Sequence, residues 1–504
     1  MIEQKDIKKE KNGSSWVLSI FVILIGGFMA ILDSSIVNVA IPSLMADFGV
    51  SHSEIEWIVT VYMLTLGVIV PTSGWLGDYL GYKKLYIASL GVFTFGSALC
   101  AIGWSVESLS VFRVIQGIGG GMIMPTTMAM VYRIVPRERI GTAMGTFGLT
   151  MLLAPAIGPS LGGYLVEYVN WHWIFSINIP IGIIGMFLAN IFIPQFEKVD
   201  AGKFDWPGAL TAAVGLFCLL FALSEGESWG WGSYEIVMLF YISFMALAIF
   251  VYLELNAKQP LLDLRLFKLG TFTVGNLMLV IITVGMYSGL FYIPLFLQAI
   301  RGLGAFETGL LMLPPALVSG IMMPISGRIY DKVGPKFLVP TGILLLSFST
   351  FLFTRIDINT PLSTIILWNM VRSIGMGMTM MPIQTSVMSV VPTEKVGRAS
   401  SITNIINRVS GSFGIAVLTM LLNKRITYHS AMLHWNIRSD NLAIHVSKQM
   451  SDTILEGIIY KMSFVQALND IFLIMTILIL IALFPAFLLK KGEVSSKAGH
   501  GLIE

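Results

Sequence analysis

Gly26-Gly27-Phe28-Met29-Ala30-Ile31-Leu32-Asp33-Ser34-Ser35-Ile36-Val37-Asn38-Val39-Ala40-Ile41-Pro42 is the stretch on which the fold turns. It lies in an apolar run that begins near Trp16 and is long enough to cross about 30 Å of hydrocarbon. Asp33 is the only acid in that run. A bare carboxylate at bilayer depth costs about 2.5–3.5 kcal/mol even on insertion scales. A group that expensive is paired, neutral or functional, and Asp33 is the expected site of proton uptake and release. Gly26 and Gly27 let a neighbouring helix come close.

The rest of the chain has the same character. Of 504 residues, 55% are hydrophobic and 12% charged, about half the charge of an average soluble protein. The apolar residues come in spans of 20 or more, which predicts an all-α polytopic membrane protein. A net charge of +3 gives no reason to expect a nucleic-acid partner. Cys100 and Cys218 lie in apolar runs, form no metal-binding spacing, and read as small buried residues. Fourteen spans are expected, at about 16–40, 54–76, 84–104, 106–132, 140–168, 171–193, 207–225, 235–255, 270–299, 305–327, 337–355, 361–390, 397–423 and 464–489. Of the 32 Lys and Arg residues, 22 fall on the side of the N-terminus, 7 on the other, and Arg113, Arg372 and Arg408 inside spans. By the positive-inside rule both termini are expected in the cytoplasm.

The sequence also repeats. Gly74-Trp75-Leu76-Gly77-Asp78-Tyr79-Leu80-Gly81-Tyr82-Lys83 matches Gly327-Arg328-Ile329-Tyr330-Asp331-Lys332-Val333-Gly334-Pro335-Lys336 at an offset of 253. Val135-Pro136-Arg137-Glu138-Arg139-Ile140-Gly141 matches Val391-Pro392-Thr393-Glu394-Lys395-Val396-Gly397 at 256, and Pro42 matches Pro294 at 252. Two parallel six-helix halves around a midplane site describe an alternating-access transporter, not an enzyme. The expected organisation is a cytoplasmic N-terminus over 1–15, a six-helix bundle over 16–193, and a two-helix insert with flanking loops over 194–269. A second six-helix bundle follows over 270–489, with a long external loop at 424–463 in which 446–463 is amphipathic enough for a surface helix or hairpin, then a cytoplasmic tail over 490–504.

Leu32-Asp33-Ser34-Ser35-Ile36-Val37-Asn38-Val39-Ala40-Ile41-Pro42 resembles the first-helix signature of the 14-helix drug:proton antiporters, the EmrB/QacA-type branch of the major facilitator superfamily. Gly74–Lys84 is similar to the superfamily's loop between helices 2 and 3, and Arg113-Val114-Ile115-Gln116-Gly117-Ile118-Gly119-Gly120-Gly121 to its fourth-helix motif. Ala154-Pro155-Ala156-Ile157-Gly158-Pro159-Ser160-Leu161-Gly162-Gly163 is similar to the fifth-helix motif of exporters. Trp171–Pro180 and Phe204-Asp205-Trp206-Pro207-Gly208 resemble marks of this branch. The resemblance implies the major facilitator fold with two inserted helices, and proton-coupled efflux of lipophilic compounds from a bacterial-type plasma membrane. An exporter or flippase of one lipid or metabolite is the alternative. No cofactor is implied beyond protons as coupling ion. The expected partners are hydrophobic drugs and membrane lipids; a monomer is expected, with an adaptor protein left open.

Asp33 and Arg113 fall at similar depth, since Asp33 lies about 25 Å along its span at 1.5 Å per residue. A paired guanidinium favours the carboxylate and desolvation favours its protonated form, and that competition suits an acid that loads and releases protons. The resemblance implies this role for the pair. Asp33→Asn is expected to leave folding intact and abolish proton-linked efflux. Gly74, Asp78, Gly81 and Lys83 are the expected gating turn, with Asp78 near Lys83 and Lys84. Pro155, Gly158, Pro159 and Gly162 form either an expected hinge or seal, or plain small-residue packing. Candidate substrate contacts are Asn38, Gln116, Asn178, Tyr287, Phe291, Tyr292, Asn404 and Asn407. Arg372 and Arg408 either bind backbone carbonyls and polar neighbours or receive an anionic group. The absence of a second buried acid leans the substrate toward cationic or neutral compounds. His429, His434 and His445 in the external loop fit no zinc spacing, and His172 reads as an interface residue.

Overall fold

The structure is a computed structural model that describes residues 3–196, 201–439 and 448–489. Fourteen long helices are found among the described residues. The first repeat contains α1 (Glu3–Phe48), α2 (His52–Leu80), α3 (Tyr82–Cys100), α4 (Val106–Ile134), α5 (Ile140–Tyr168) and α6 (Asn178–Phe192), the last preceded by the short turn Trp173–Ser176. The pair α7 (Trp206–Glu225) and α8 (Tyr234–Asn256) follows. The second repeat contains α9 (Gly270–Leu295), α10 (Ala305–Val333), α11 (Pro335–Leu352), α12 (Leu362–Ser389), α13 (Val396–Ser439) and α14 (Lys448–Ile481). Among the described residues, twelve segments are long and apolar enough to cross a membrane. The two helices outside that set are α3, which opens on Lys83 and Lys84, and α12, which carries Asn369 and Arg372.

Local chemistry sets the helix ends. Ser51 and Glu54 close a capping box on α2, with the Ser51 N–H donating to Glu54 Oε2 at 2.8 Å. Asp205 caps α7 by accepting from the Gly208 N–H at 2.9 Å, with Pro207 in the first turn. That accounts for the Asp205-Trp206-Pro207-Gly208 motif as a helix start. Between α2 and α3 a single residue, Gly81, turns the chain at φ +86°. Gly334 does the same between α10 and α11 at φ +78°. Side chains with a Cβ strongly disfavour that region, so the repeated glycine is a backbone requirement.

The halves meet along two seams. α5 lies on α10, where a Cβ on Gly145 would stand 2.7 Å from Pro324 Cα, and touches α12, where one on Gly148 would stand 2.8 Å from Met381 Cγ. α2 lies on α13, with Ser73 Oγ 3.0 Å from Ser401 Oγ. The pair α7–α8 packs on the outer side of α2, where Trp57 and Phe221 sit with ring centroids 5.6 Å apart.

One expectation changes. Helix occupies 424–439 in place of the expected loop, α13 running on to Ser439, and α14 starts at Lys448, within the stretch expected to suit a surface helix or hairpin. The two are tied by Asp470, which accepts from His429 Nε2 at 2.7 Å and pairs with Arg425 at 3.0 Å. His429 is thus engaged by a carboxylate, and His445 lies outside the described residues. Helix also occupies residues 3–15 of the expected N-terminal segment. The expected cytoplasmic tail at 490–504 lies outside the described residues.

Candidate functional site

Four helices of the first repeat converge on Asp33. α1 supplies the carboxylate. α4 supplies Arg113 and Gln116, one turn apart on one face. α3 brings Ser97, and the start of α6 brings Asn178. Close packing of α3 on α4 fixes the register, because a Cβ on Gly96 would stand 2.5 Å from Gln116 Cα. On the opposite side, a Cβ on Gly117 would stand 2.9 Å from Thr65 Cβ of α2. Small residues on two faces thus clamp α4 between α2 and α3.

The resulting network is closed. Arg113 Nη1 donates to Asp33 Oδ2 at 2.5 Å and to Gln116 Oε1 at 2.7 Å. Gln116 Nε2 donates to Asp33 Oδ1 at 2.8 Å and to Ser97 Oγ at 2.8 Å. Asn178 Nδ2 donates to Asp33 Oδ1 at 2.9 Å. Arg113 Nε reaches the Ile58 carbonyl oxygen at 3.3 Å, and the guanidinium lies 3.7 Å from the Tyr62 ring centroid. Asp33, Arg113, Gln116 and Tyr62 are all 0% exposed. Both oxygens of Asp33 therefore accept from donors in a buried setting, which suits the carboxylate. The Asn178 Oδ1 is buried and accepts nothing among the described residues.

This geometry changes two readings. Gln116 and Asn178, expected at the substrate, direct their amides to Asp33. Lys83 is not beside Asp78; its Nζ donates to the Asn190 carbonyl oxygen at 2.7 Å in the last turn of α6.

Asp78 instead joins the two repeats. It accepts from Tyr82 Oη at 2.9 Å and faces Arg133 Nη2 at 3.7 Å and Arg398 Nε at 3.6 Å, the latter in the first turn of α13. Gly74 lies against the same turn, where a Cβ on it would stand 3.2 Å from Arg398 Cα. The matching residue of the second repeat does the converse. Asp331 accepts from the N–H groups of Gly141 (2.8 Å) and Thr142 (2.9 Å) and from Thr142 Oγ1 (2.8 Å), in the first turn of α5. Each aspartate thus sits over a helix N-terminus of the opposite repeat, where the helix dipole favours an anion. Ser400 Oγ to the Pro125 carbonyl (2.9 Å) and Gln384 Nε2 to Met128 Sδ (3.4 Å) add to the closure at that end. The sequence repeat contained Asp331 and Gly141, but nothing in it paired them.

In α5, Pro159 has no N–H for the Pro155 carbonyl, and Ser35 Oγ of α1 donates to that oxygen at 3.3 Å. Gly162 lies on Ile36, a Cβ there standing 2.7 Å from Ile36 Cγ1, and Gly158 faces Ser35. The proline–glycine motif therefore welds α5 to the segment that carries Asp33.

The remaining candidates divide. Tyr287, Asn404 and Asn407 gather where α9 meets α13: a Cβ on Gly411 would stand 2.8 Å from the Tyr287 ring, and Asn407 Oδ1 accepts from Thr283 Oγ1 at 3.5 Å. Asn404 Nδ2 donates to the Ser400 carbonyl oxygen at 2.8 Å. Asn38 and Phe291 are exposed, and Tyr292 is buried in the second repeat with its hydroxyl 3.3 Å from Thr419; these three stand apart from the cluster. Trp171 Nε1 donates to Asp47 Oδ2 at 2.5 Å and stacks on His172 at 3.6 Å. Burial holds the His172 imidazole below its ordinary range, the Asp47 charge opposing.

Comparison with known proteins places this architecture. The family profile described as Major Facilitator Superfamily matches residues 23–415. The MFS-type transporter YhcA of Bacillus subtilis is 36% identical, over 84% of this chain and 80% of its own. The lincomycin resistance protein LmrB of Listeria monocytogenes is 31% identical over 83% and 89%. The multidrug transporter protein MdtP of Bacillus subtilis is 33% identical over 83% and 77%. Among solved structures, the human organic anion transporter MFSD10 superposes with a TM-score of 0.63 at 15% identity, over 94% of this chain and 99% of that one. The proton:xylose symporter XylE gives 0.61 at 14%, over 92% and 95%.

Proposed function

The chain belongs to the Major Facilitator Superfamily, and from that premise we propose that it is a proton-coupled efflux antiporter for lipophilic small molecules. As a member it is a secondary transporter rather than an enzyme, and a multi-pass protein of the plasma membrane. The observation that carries the reading is the sealed Asp33–Arg113–Gln116–Asn178 network in one repeat. The printed names of LmrB and MdtP, a lincomycin resistance protein and a multidrug transporter, support drug-type cargo.

In this reading α3 and α12 also cross the bilayer, giving fourteen spans with both termini cytoplasmic. The Asp78 and Asp331 contacts then lie on the cytoplasmic side, and their closure holds the outward-facing state. Uptake of a proton by Asp33 withdraws its charge from Arg113 and loosens α1 from α4. Because α1 is bound to α5 through Ser35 and Gly162, the change reaches the α5–α10 seam and the Asp331 contact. Reorientation then admits substrate from the inside, and proton release restores the network.

The test is dye efflux from proteoliposomes under an imposed proton gradient, with and without an uncoupler, paired with proton release on substrate addition to purified protein. Wild type should extrude dye only with the gradient and release protons on binding. Uphill, uncoupler-sensitive export by Asp33→Asn would reject the assignment. A second reading, export or flipping of a lipid or metabolite, draws support from an apolar surface groove of about 440 Å³ between α1, α5 and α6, lined by Phe21, Phe28, Leu149 and Ile184. Scrambling of labelled lipid without dye export would favour it.

A further inference from the structure

Two arginines of the second repeat lack a carboxylate partner among the described residues. Arg372 on α12 is buried; its Nη2 donates to the carbonyl oxygens of Gly285 (2.6 Å) and Met286 (3.1 Å) and to Ser288 Oγ (3.4 Å), while its Nε has no partner. Arg408 on α13 is half-buried and makes no hydrogen bond or ion pair among the described residues. Its stem lies against α2, Cδ 3.5 Å from where a Cβ on Gly67 would stand. One turn along α13, the Tyr287 ring of α9 lies 2.8 Å from where a Cβ on Gly411 would stand. Arg408 therefore stands at the meeting of the two repeats, one residue from Asn407 and four from Asn404.

The repeat sharpens the point. The 252 offset puts Gly285 where the first repeat has Asp33, and the 256 offset puts Arg372 where it has Gln116. In the first repeat Gln116 donates to Asp33; in the second Arg372 donates to the Gly285 carbonyl. At the same place one half holds a neutralised acid and the other an unneutralised base. A guanidinium away from bulk water without a counter-ion is costly, and its fork matches carboxylate or phosphate oxygens in pairs.

We propose that Arg408, with Tyr287 one turn along, recognises an anionic group (carboxylate, sulfonate or phosphate) on an otherwise lipophilic substrate, with Arg372 holding the adjoining turn of α9 positive. This rests on the efflux reading above and replaces the leaning toward cationic or neutral cargo. The acid group would accept from the guanidinium while the Tyr287 ring lies along the apolar body. Arg113 does not compete, because Asp33 already holds it.

The test is equilibrium binding to the full-length protein in phosphatidylcholine nanodiscs, with pyrenebutyrate, pyrenebutanol and a pyrenylbutyl trimethylammonium salt as matched anionic, neutral and cationic probes. Wild type should prefer the acid. Arg408→Gln should weaken it about tenfold, the loss expected of one charge-assisted hydrogen bond, and leave the alcohol unchanged; Arg408→Lys should keep most of the preference. Repeating the titration with phosphatidylglycerol present separates the sources of the anion. Arg408-dependent displacement of the acid identifies a lipid headgroup as a competitor for the same anion site, and no displacement identifies free acids as the cargo. An acid-to-alcohol ratio that Arg408→Gln does not change, or tighter binding of the cation by wild type, overturns the proposal. Binding is read without a proton gradient, so this failure is distinct from a failure of proton coupling.

Discussion

Replacing Asp33 by Asn removes the charge that neutralises Arg113 in a fully buried pocket. Thermal unfolding of the purified variant should show a clear fall in Tm, from a loss of about 3–5 kcal/mol, together with loss of gradient-driven efflux. Adding Arg113→Gln should restore most of the Tm and none of the transport; a double variant as unstable as the single would mean that the pair's charge balance is not what the fold feels. Gln116→Leu should cost about 1–3 kcal/mol by removing the amide that donates to Ser97 Oγ and to Asp33 Oδ1. At this scale the sequence is most legible where charge meets apolar surroundings, as with Asp33 and Arg113. It is least legible for amides. An Asn or Gln in a span announces a polar partner without saying which, so Gln116 and Asn178 read as substrate contacts when they serve the carboxylate. Lys83 misleads for a related reason: its long stem reaches a helix end that adjacency in sequence does not reveal.

The helices themselves are readable from hydropathy, because length and apolar content are what a bilayer demands. Where spans end is harder. The polar stretch that begins at Lys424 reads as loop, yet helix needs only continuous backbone bonding, and α13 runs on to Ser439, joined to α14 by Asp470 with Arg425 and His429. Between α2 and α3 the element-scale constraint is a single φ. Gly81→Ala and Gly334→Ala should each destabilise by at least about 1–2 kcal/mol, measured as Tm or as yield of folded protein, with the inter-repeat contacts of Asp78 and Asp331 loosened in parallel. Equal stability of both variants would mean that the turn relaxes to another conformation. In α5, Gly158→Leu should separate α1 from α5 at Ser35 and uncouple efflux from the gradient; retained tight coupling would leave packing as the whole role of the motif.

Across the whole molecule, closure rests on contacts gathered at the end bearing the α2–α3 turn. Ser73 and Ser401 face each other there at 3.0 Å, and both native cysteines, Cys100 and Cys218, are buried. Oxidation of Ser73→Cys/Ser401→Cys should cross-link the repeats and stop transport, and reductant should restore it; turnover in the cross-linked protein would exclude opening along that seam. The duplication makes the two halves legible from sequence alone, since repeated motifs at near-constant offset imply repeated bundles. What it does not convey is how the copies differ in chemistry, an acid in one and bases in the other, because divergence after duplication leaves the packing and rewrites the charge. If the cargo is an anion, inward movement of a proton and outward movement of the anion carry charge in the same electrical sense. The membrane potential then contributes twice per turnover, at about 2.3 kcal/mol per charge per 100 mV.

The 44-residue length of α13 has a mechanical corollary. At 1.5 Å per residue it measures about 66 Å, roughly twice the thickness of the lipid interior, so it stands out of the membrane like a mast braced by α14. A rigid-body swing of about 15° at its foot would carry the tip through roughly 17 Å. A fluorophore or antibody fragment clamped near the masthead would thus magnify a rocking motion that is only a few ångströms wide at the keel.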